Sequence, residues 1–202
     1  MFYSTKDNNH GLSHNPFKAI VAPRPIGWIS TLSKEGFPNL APYSFFNAIG
    51  ANPDLIMFSS GGWKDSATNA RDTGEFVYNY VGQDLVNVMN ETSVDAPHNT
   101  SEFEYADIAS APSEMVKPAR VRDTCAALEC KVTQIIETVD IDGNKTNDIV
   151  VIGQVMGIYI DDRVITDGRF DVNIAKPVTR LGYMDFKGHG EIFELLRPDW
   201  KG

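Results

Sequence analysis

Two long runs rich in β-formers, Leu128 to Val139 and Asp148 to Asp161, flank Asp142-Gly143-Asn144. A turn of this kind between strand-like runs is a β-hairpin signal. Gly153 and Gly157 interrupt the second run, and glycines there suit the bends of a closing barrel. The rest of the chain fits such a sheet. Ile26 to Leu32 reads as a strand and Ser33 to Gly36 as a turn. Asn39 to Asn47 continues extended, with Pro42 placing it at an edge or bulge. Leu55 to Ser60, Phe76 to Val81 and a short Val164 to Thr166 complete the strand set. Two segments read as helix: Ala67 to Asp72, stopped by Gly74, and residues 84–92 with Leu85, Val88 and Met89 on one face. Strands come in runs and do not alternate with helices. This predicts a mainly β, antiparallel barrel with a few helices, not a doubly wound sheet.

Composition narrows the function. A chain of 202 residues, 42% apolar, suits one domain with a sizeable core. Its net charge of −9 argues against nucleic acid and against an anionic membrane as the main partner. An anionic ligand must therefore be held by local features. Cys125 and Cys130 lie five apart on an expected strand and so point to opposite faces. They read as buried thiols, without a disulfide framework or a shared metal. Asp140, Asp142, Asp161 and Asp162 sit at strand ends and read as solvated turn residues, so no metal site is expected. The first ten residues are polar and lack the apolar core of a signal peptide. No window has the length and apolarity of a membrane span, and the expected location is cytoplasmic. Residues 93–124, with Pro97, Pro112 and Pro118, read as a long irregular region, which in a compact domain is commonly functional.

The most chemically suggestive stretch is Gly61-Gly62-Trp63-Lys64-Asp65-Ser66-Ala67-Thr68-Asn69. The glycines let the backbone turn and approach a ligand closely. Asp65 or Ser66 can cap the helix that follows. Free N–H groups at a helix start, two hydroxyls and a lysine together make a seat for phosphate. The spacing is not that of the nucleotide P-loop.

Several segments then fall into an order. Arg24-Pro25-Ile26-Gly27-Trp28-Ile29-Ser30-Thr31 precedes Asn39-Leu40-Ala41-Pro42-Tyr43-Ser44-Phe45-Phe46-Asn47. Phe58-Ser59-Ser60 and Lys64-Asp65-Ser66-Ala67-Thr68-Asn69 follow, then Thr73-Gly74-Glu75-Phe76-Val77-Tyr78-Asn79. Farther on come Ser101-Glu102-Phe103, Leu128-Glu129-Cys130 and Thr179-Arg180-Leu181-Gly182. Over roughly residues 16–186 this order resembles the flavin reductase-like family with an FMN-binding split barrel, in the branch of flavoredoxins and the reductase components of two-component monooxygenases. The resemblance implies an antiparallel split β-barrel. It implies FMN along Tyr43, Ser44, Phe45, Phe46 and Asn47, flanked by Ser59 and Ser60. Lys64, Asp65, Ser66 and Thr68 would hold the phosphate, and Thr31 would lie near the flavin. Trp28, Tyr43, Phe45, Phe46 and Trp63 are the available ring walls. The resemblance also implies a homodimer, with the 93–124 region and the Arg180 segment lining the site from the same or the partner subunit.

The expected activity is an NAD(P)H:flavin reductase, with NADH or NADPH as co-substrate. A redox flavin carries its own chemistry, so no catalytic triad is required. His98 and Arg180 are the side chains proposed for a catalytic role. The absence of a Gly-x-Gly-x-x-Gly fingerprint places the nicotinamide in the open flavin cleft. The alternative is an FMN-containing electron carrier serving a redox protein or a monooxygenase. A third reading is a split barrel that binds some other ligand.

Overall fold

The structure is a computed structural model and describes residues 1–200. A one-turn helix α1 (Phe17–Ile20) leads into the two-residue strand β1 (Arg24–Pro25). Then come β2 (Gly27–Leu32), β3 (Pro38–Tyr43), β4 (Phe46–Ala51) and β5 (Asp54–Gly61). Helix α2 (Asp65–Thr73) is followed by β6 (Glu75–Asn79), α3 (Val86–Glu91) and α4 (Glu102–Tyr105). The short pair β7 (Ser110–Ala111) and β8 (Arg120–Val121) precedes the long hairpin of β9 (Ala126–Val139) and β10 (Lys145–Ile160). The chain ends in β11 (Ile165–Thr166), β12 (Arg169–Phe170), α5 (Val172–Ala175), β13 (Thr179–Arg180) and β14 (Phe186–Lys187).

Seven strands form one antiparallel sheet in the order β3-β2-β6-β9-β10-β5-β4. Its two edge strands, β3 and β4, are consecutive in sequence and joined only by Ser44 and Phe45. The sheet therefore curls back on itself, yet no ladder joins β3 to β4. This is a split barrel. The expected single extended run over 39–47 is thus two strands, broken where the chain steps from one edge to the other. Pro42 lies in edge strand β3, where a missing N–H is tolerated.

Glycine permits the curl. The β9–β10 ladder shifts register between Ile152 and Gly153 and again between Val155 and Gly157. A Cβ on Gly153 would stand 2.4 Å from the Phe76 ring, and one on Gly157 would stand 2.9 Å from Met115. Both bends rest on close approaches that only glycine allows.

Adjacent residues of β2 feed two cores because strand side chains alternate in direction. Ile29 packs inside the barrel with Phe46, Ile56, Phe58, Phe76 and Val151. Trp28 joins Leu40, Met89, Phe103 and Val121 beneath α3 and α4. Trp28 is fully buried and its Nε1 donates to Thr92 Oγ1 at 2.9 Å. It is core and not a ring wall. The 93–124 region is more ordered than expected, since α4 and the β7–β8 pair lie inside it. Among the described residues, no helix is long and apolar enough to cross a membrane.

Candidate functional site

Helix α2 starts at the end of β5, and Gly74 closes it in the left-handed conformation (φ 73°), as a C-terminal glycine should. Its N-cap residue is Lys64, and no side chain caps the first turn. The expected cap by Asp65 or Ser66 does not form, because both side chains are engaged elsewhere. Ser66 Oγ accepts from Asn39 Nδ2 at 2.9 Å. Asp65 Oδ1 lies 2.7 Å from His98 Nδ1. The helix start thus keeps its N–H groups available, together with the positive end of its dipole.

This uncapped start opens onto a cleft of about 310 Å³. Asn39, Ala41, Pro42 and Tyr43 of β3 line one side, Lys64, Asp65 and Ser66 line another, and residues 92–96 with Glu102 complete it. A second pocket of about 160 Å³ meets the first along Pro42, Tyr43 and Ser93. Ser44, Arg24 and Arg180 line this second pocket. Tyr43 is the ridge between the two. Its ring packs on Phe58 with centroids 5.0 Å apart. Burial pushes its phenol above the ordinary value, and the neighbouring Ser66 and Ser60 hydroxyls partly offset the rise.

A polar knot sets the floor. Thr31, 1% exposed, accepts amide bonds from Asn39 and Asn69 at 3.2 and 3.1 Å. Asn39 bridges Thr31 and Ser66, which ties β2 and β3 to the start of α2. Thr31 therefore positions Asn39 and does not face the cleft itself. Glu102 accepts the edge N–H of Leu40 at 2.9 Å. Burial, reinforced by Asp65, holds its carboxyl above the ordinary range. The cleft's single cation, Lys64, lies 2.8 Å from Asp95, whose side chain is 90% exposed.

Of the residues singled out from sequence, Tyr43, Lys64, Asp65 and Ser66 meet in the cleft, and Tyr43, Ser44 and Arg180 meet in the adjoining pocket. His98 touches the site through Asp65. Phe45 is half-exposed, with Lys18 Nζ 5.7 Å and Arg24 5.5 Å from its ring centroid. The remaining positions line neither pocket, although the Ser60 hydroxyl lies beside that of Tyr43. Phe46 is buried and stacked on Tyr78. Asn47 is exposed on β4, and its Oδ1 accepts its neighbour Ala48's N–H. Ser59 is half-buried, and its N–H donates to the Phe45 carbonyl at 2.8 Å. Ser60 is buried and donates to the Gly62 carbonyl. Thr68 donates to the Trp63 carbonyl at 3.2 Å, and Trp63 itself carries Arg71 over its ring at 4.7 Å. Sequence reasoning did not single out Asn39, Glu102 or Arg24 as site residues. The first two carry no local signature, but an arginine between two prolines, Pro23-Arg24-Pro25, was a readable signal for a fixed guanidinium.

The cleft suits a ligand with a phosphate and a flat polar ring. An uncapped helix start, a lysine held only by an exposed carboxylate, and an edge strand are all present. The flavin reductase-like domain family matches residues 21–176. An uncharacterized protein of Halalkalibacterium halodurans is 37% identical over 183 residues, covering 88% of this chain and 87% of the relative. The crystal structure of nitrilotriacetate monooxygenase component B from Bacillus cereus is similar with a TM-score of 0.88 and 29% identity, covering 96% of this chain and 98% of that one. The 2-nitrobenzoate 2-nitroreductase of Pseudomonas fluorescens is similar with a TM-score of 0.85 and 26% identity, covering 98% and 96%. The chain belongs to the flavin reductase-like domain family.

Proposed function

We propose that the cleft holds FMN and that the protein is an NAD(P)H:flavin reductase. The observation that carries this reading is the uncapped start of α2 beside Lys64, opening into a cleft bordered by the edge strand β3. Lys64 and the first-turn N–H groups would take the phosphate. The backbone of Pro42, Tyr43 and Ser44 would meet the polar edge of the ring, with Tyr43 as its wall. Bound flavin supplies the hydride acceptor, and the protein supplies its position. Ser66 and Thr31 fix Asn39, and Asn39 would hold the edge strand, which would meet the ring, against the helix start, which would take the phosphate. The chain has no dinucleotide fingerprint, so the nicotinamide of NADH or NADPH would share the same open cleft.

The working unit in this reading is a homodimer. Met156, Ile158 and Ile160 are exposed at alternate positions of β10, as are Phe193, Leu195, Leu196 and Trp200 in the tail. Apolar exposure of this extent supports a protein partner surface.

Anaerobic visible spectroscopy of the FMN-saturated protein tests the reading. Rapid bleaching on addition of NADH or NADPH is expected. Bound flavin that stays oxidised with both nucleotides would replace the reductase with an electron carrier serving a redox protein or a monooxygenase. Failure to bind FMN at all would overturn both.

A further inference from the structure

The smaller pocket has a charge opposite to that of the whole chain. Lys18, Arg24 and Arg180 line it, and no carboxylate does. Ile26, Met89 and Phe186 give an apolar part of the wall and Ser44, Asn90 and Ser93 a polar part, with Tyr43 at the mouth shared with the larger cleft. Arg24 is 6% exposed. Its Nη1 donates to Ser44 Oγ at 2.7 Å and its Nη2 to the Leu181 carbonyl at 2.6 Å, both neutral acceptors. Its buried Nε has no partner. Arg180 donates through Nη2 to the Tyr183 carbonyl at 2.6 Å and lies over the Phe186 ring at 4.4 Å. Among the described residues, neither arginine forms an ion pair. Burial, and then the Arg180 guanidinium, lowers the pKa of Arg24. A buried guanidinium beside a second one, with no acid between them, is an arrangement that an incoming anion stabilises.

We propose that this pocket seats the anionic group, phosphoryl or carboxylate, of the second reactant that meets the flavin at Tyr43. The inference rests on the flavin reading for what the anion's owner does, but not for the binding itself. The volume corresponds to about five water molecules, which is room for one anionic group and not for a whole dinucleotide. The apolar part of the wall, Ile26, Met89 and Phe186, offers contact to a flat or aliphatic body attached to the anion. The phosphate seat at Lys64 lies across the Tyr43 ridge, so the two anion sites take two different groups.

Calorimetric titration of the full chain with inorganic pyrophosphate and, separately, benzoate tests the proposal. With FMN bound, the Lys64 seat is filled and only the arginine pocket remains to bind a probe. At least one probe should bind, and Arg180→Gln should weaken it roughly tenfold or more, with partial recovery in Arg180→Lys. Pyrophosphate binding alone would identify a phosphoryl group, and benzoate alone a carboxylate. FMN affinity, read from the visible spectrum, should change little in either variant. Should the chain take no FMN, the same titration on Lys64→Gln, with the phosphate seat weakened, reads the pocket independently. Absence of both probes from the wild-type pocket, or equal binding to Arg180→Gln, overturns the proposal.

Discussion

Lys64 is held, not free. Its ammonium lies 2.8 Å from Asp95, which raises the lysine pKa while the lysine lowers that of the carboxyl. A phosphate in the proposed site would compete with Asp95 for Lys64. Asp95→Asn should therefore tighten FMN, by up to about fivefold given the modest strength of exposed ion pairs, and leave riboflavin unchanged. Lys64→Gln should weaken FMN and again spare riboflavin. Fluorescence titration with both flavins checks this, and equal shifts for the two would remove Lys64 from the phosphate seat. Glu102 carries a second expectation. Burial raises its folded carboxyl pKa above the unfolded value, so the native state holds its proton at a pH where the unfolded chain has lost it. Its contribution to stability is complete below the ordinary carboxylate range and is lost as pH rises through the raised value. Glu102→Gln keeps an acceptor for Leu40 N–H and removes the titration. Urea midpoints at several pH values should show the variant gaining on the wild type as pH rises. A difference constant across pH would count against a raised Glu102.

At the scale of elements, local rules worked where local rules decide. The β9–β10 hairpin, the glycine bends in β10 and the Gly74 stop of α2 follow from turn chemistry and steric permission, and all three are in the structure. The residues of the cleft were less legible. Four hydroxyl and amide candidates differ in which way the fold turns them: Ser66 reaches Asn39, Thr68 reaches the backbone of Trp63, Ser60 that of Gly62, and Asn47 that of its neighbour Ala48. That choice is made by β3 crossing to β4 at Ser44-Phe45, a long-range event that leaves no periodic trace. Asn39 and Glu102 stayed hidden for the same reason, since their partners lie 27 and 62 residues away. The element most exposed to a single change is β10. Gly153→Ala would drive a methyl into Phe76, itself fully buried between β2-side and hairpin residues. A loss of about 1–3 kcal/mol is expected from overpacking. Phe76→Leu in the same chain should recover part of it in a urea titration. Full stability of Gly153→Ala would show that the bend does not need the close approach.

Over the whole molecule, acidity and apolar exposure pull on different functions. In a chain of net charge −9 the two proposed anion seats are local, one at the α2 start and one between Arg24 and Arg180. Both open beside Tyr43, at the edge strand β3. The apolar surface lies instead along β10 and the tail, where Leu195, Leu196 and Trp200 are more than four-fifths exposed. Water contact with so much side-chain area is unfavourable at about 25 cal/mol per Å², and a second copy of the chain is the cover that the homodimer reading supplies. Replacing Leu195 and Leu196 by glutamate should then break or weaken association, since each charge would have to be buried at the contact. Sedimentation equilibrium should return twice 22.4 kDa for the wild type and move toward 22.4 kDa for the variant. A wild-type chain that sediments as a monomer would remove the dimer. Flavin titration of the dissociated variant then separates two architectures. Retained FMN affinity places the whole site within one subunit, as the cleft between β3 and α2 suggests. A loss of both FMN and riboflavin would mean that the partner completes the ring pocket, while the phosphate seat at Lys64 stays within the chain.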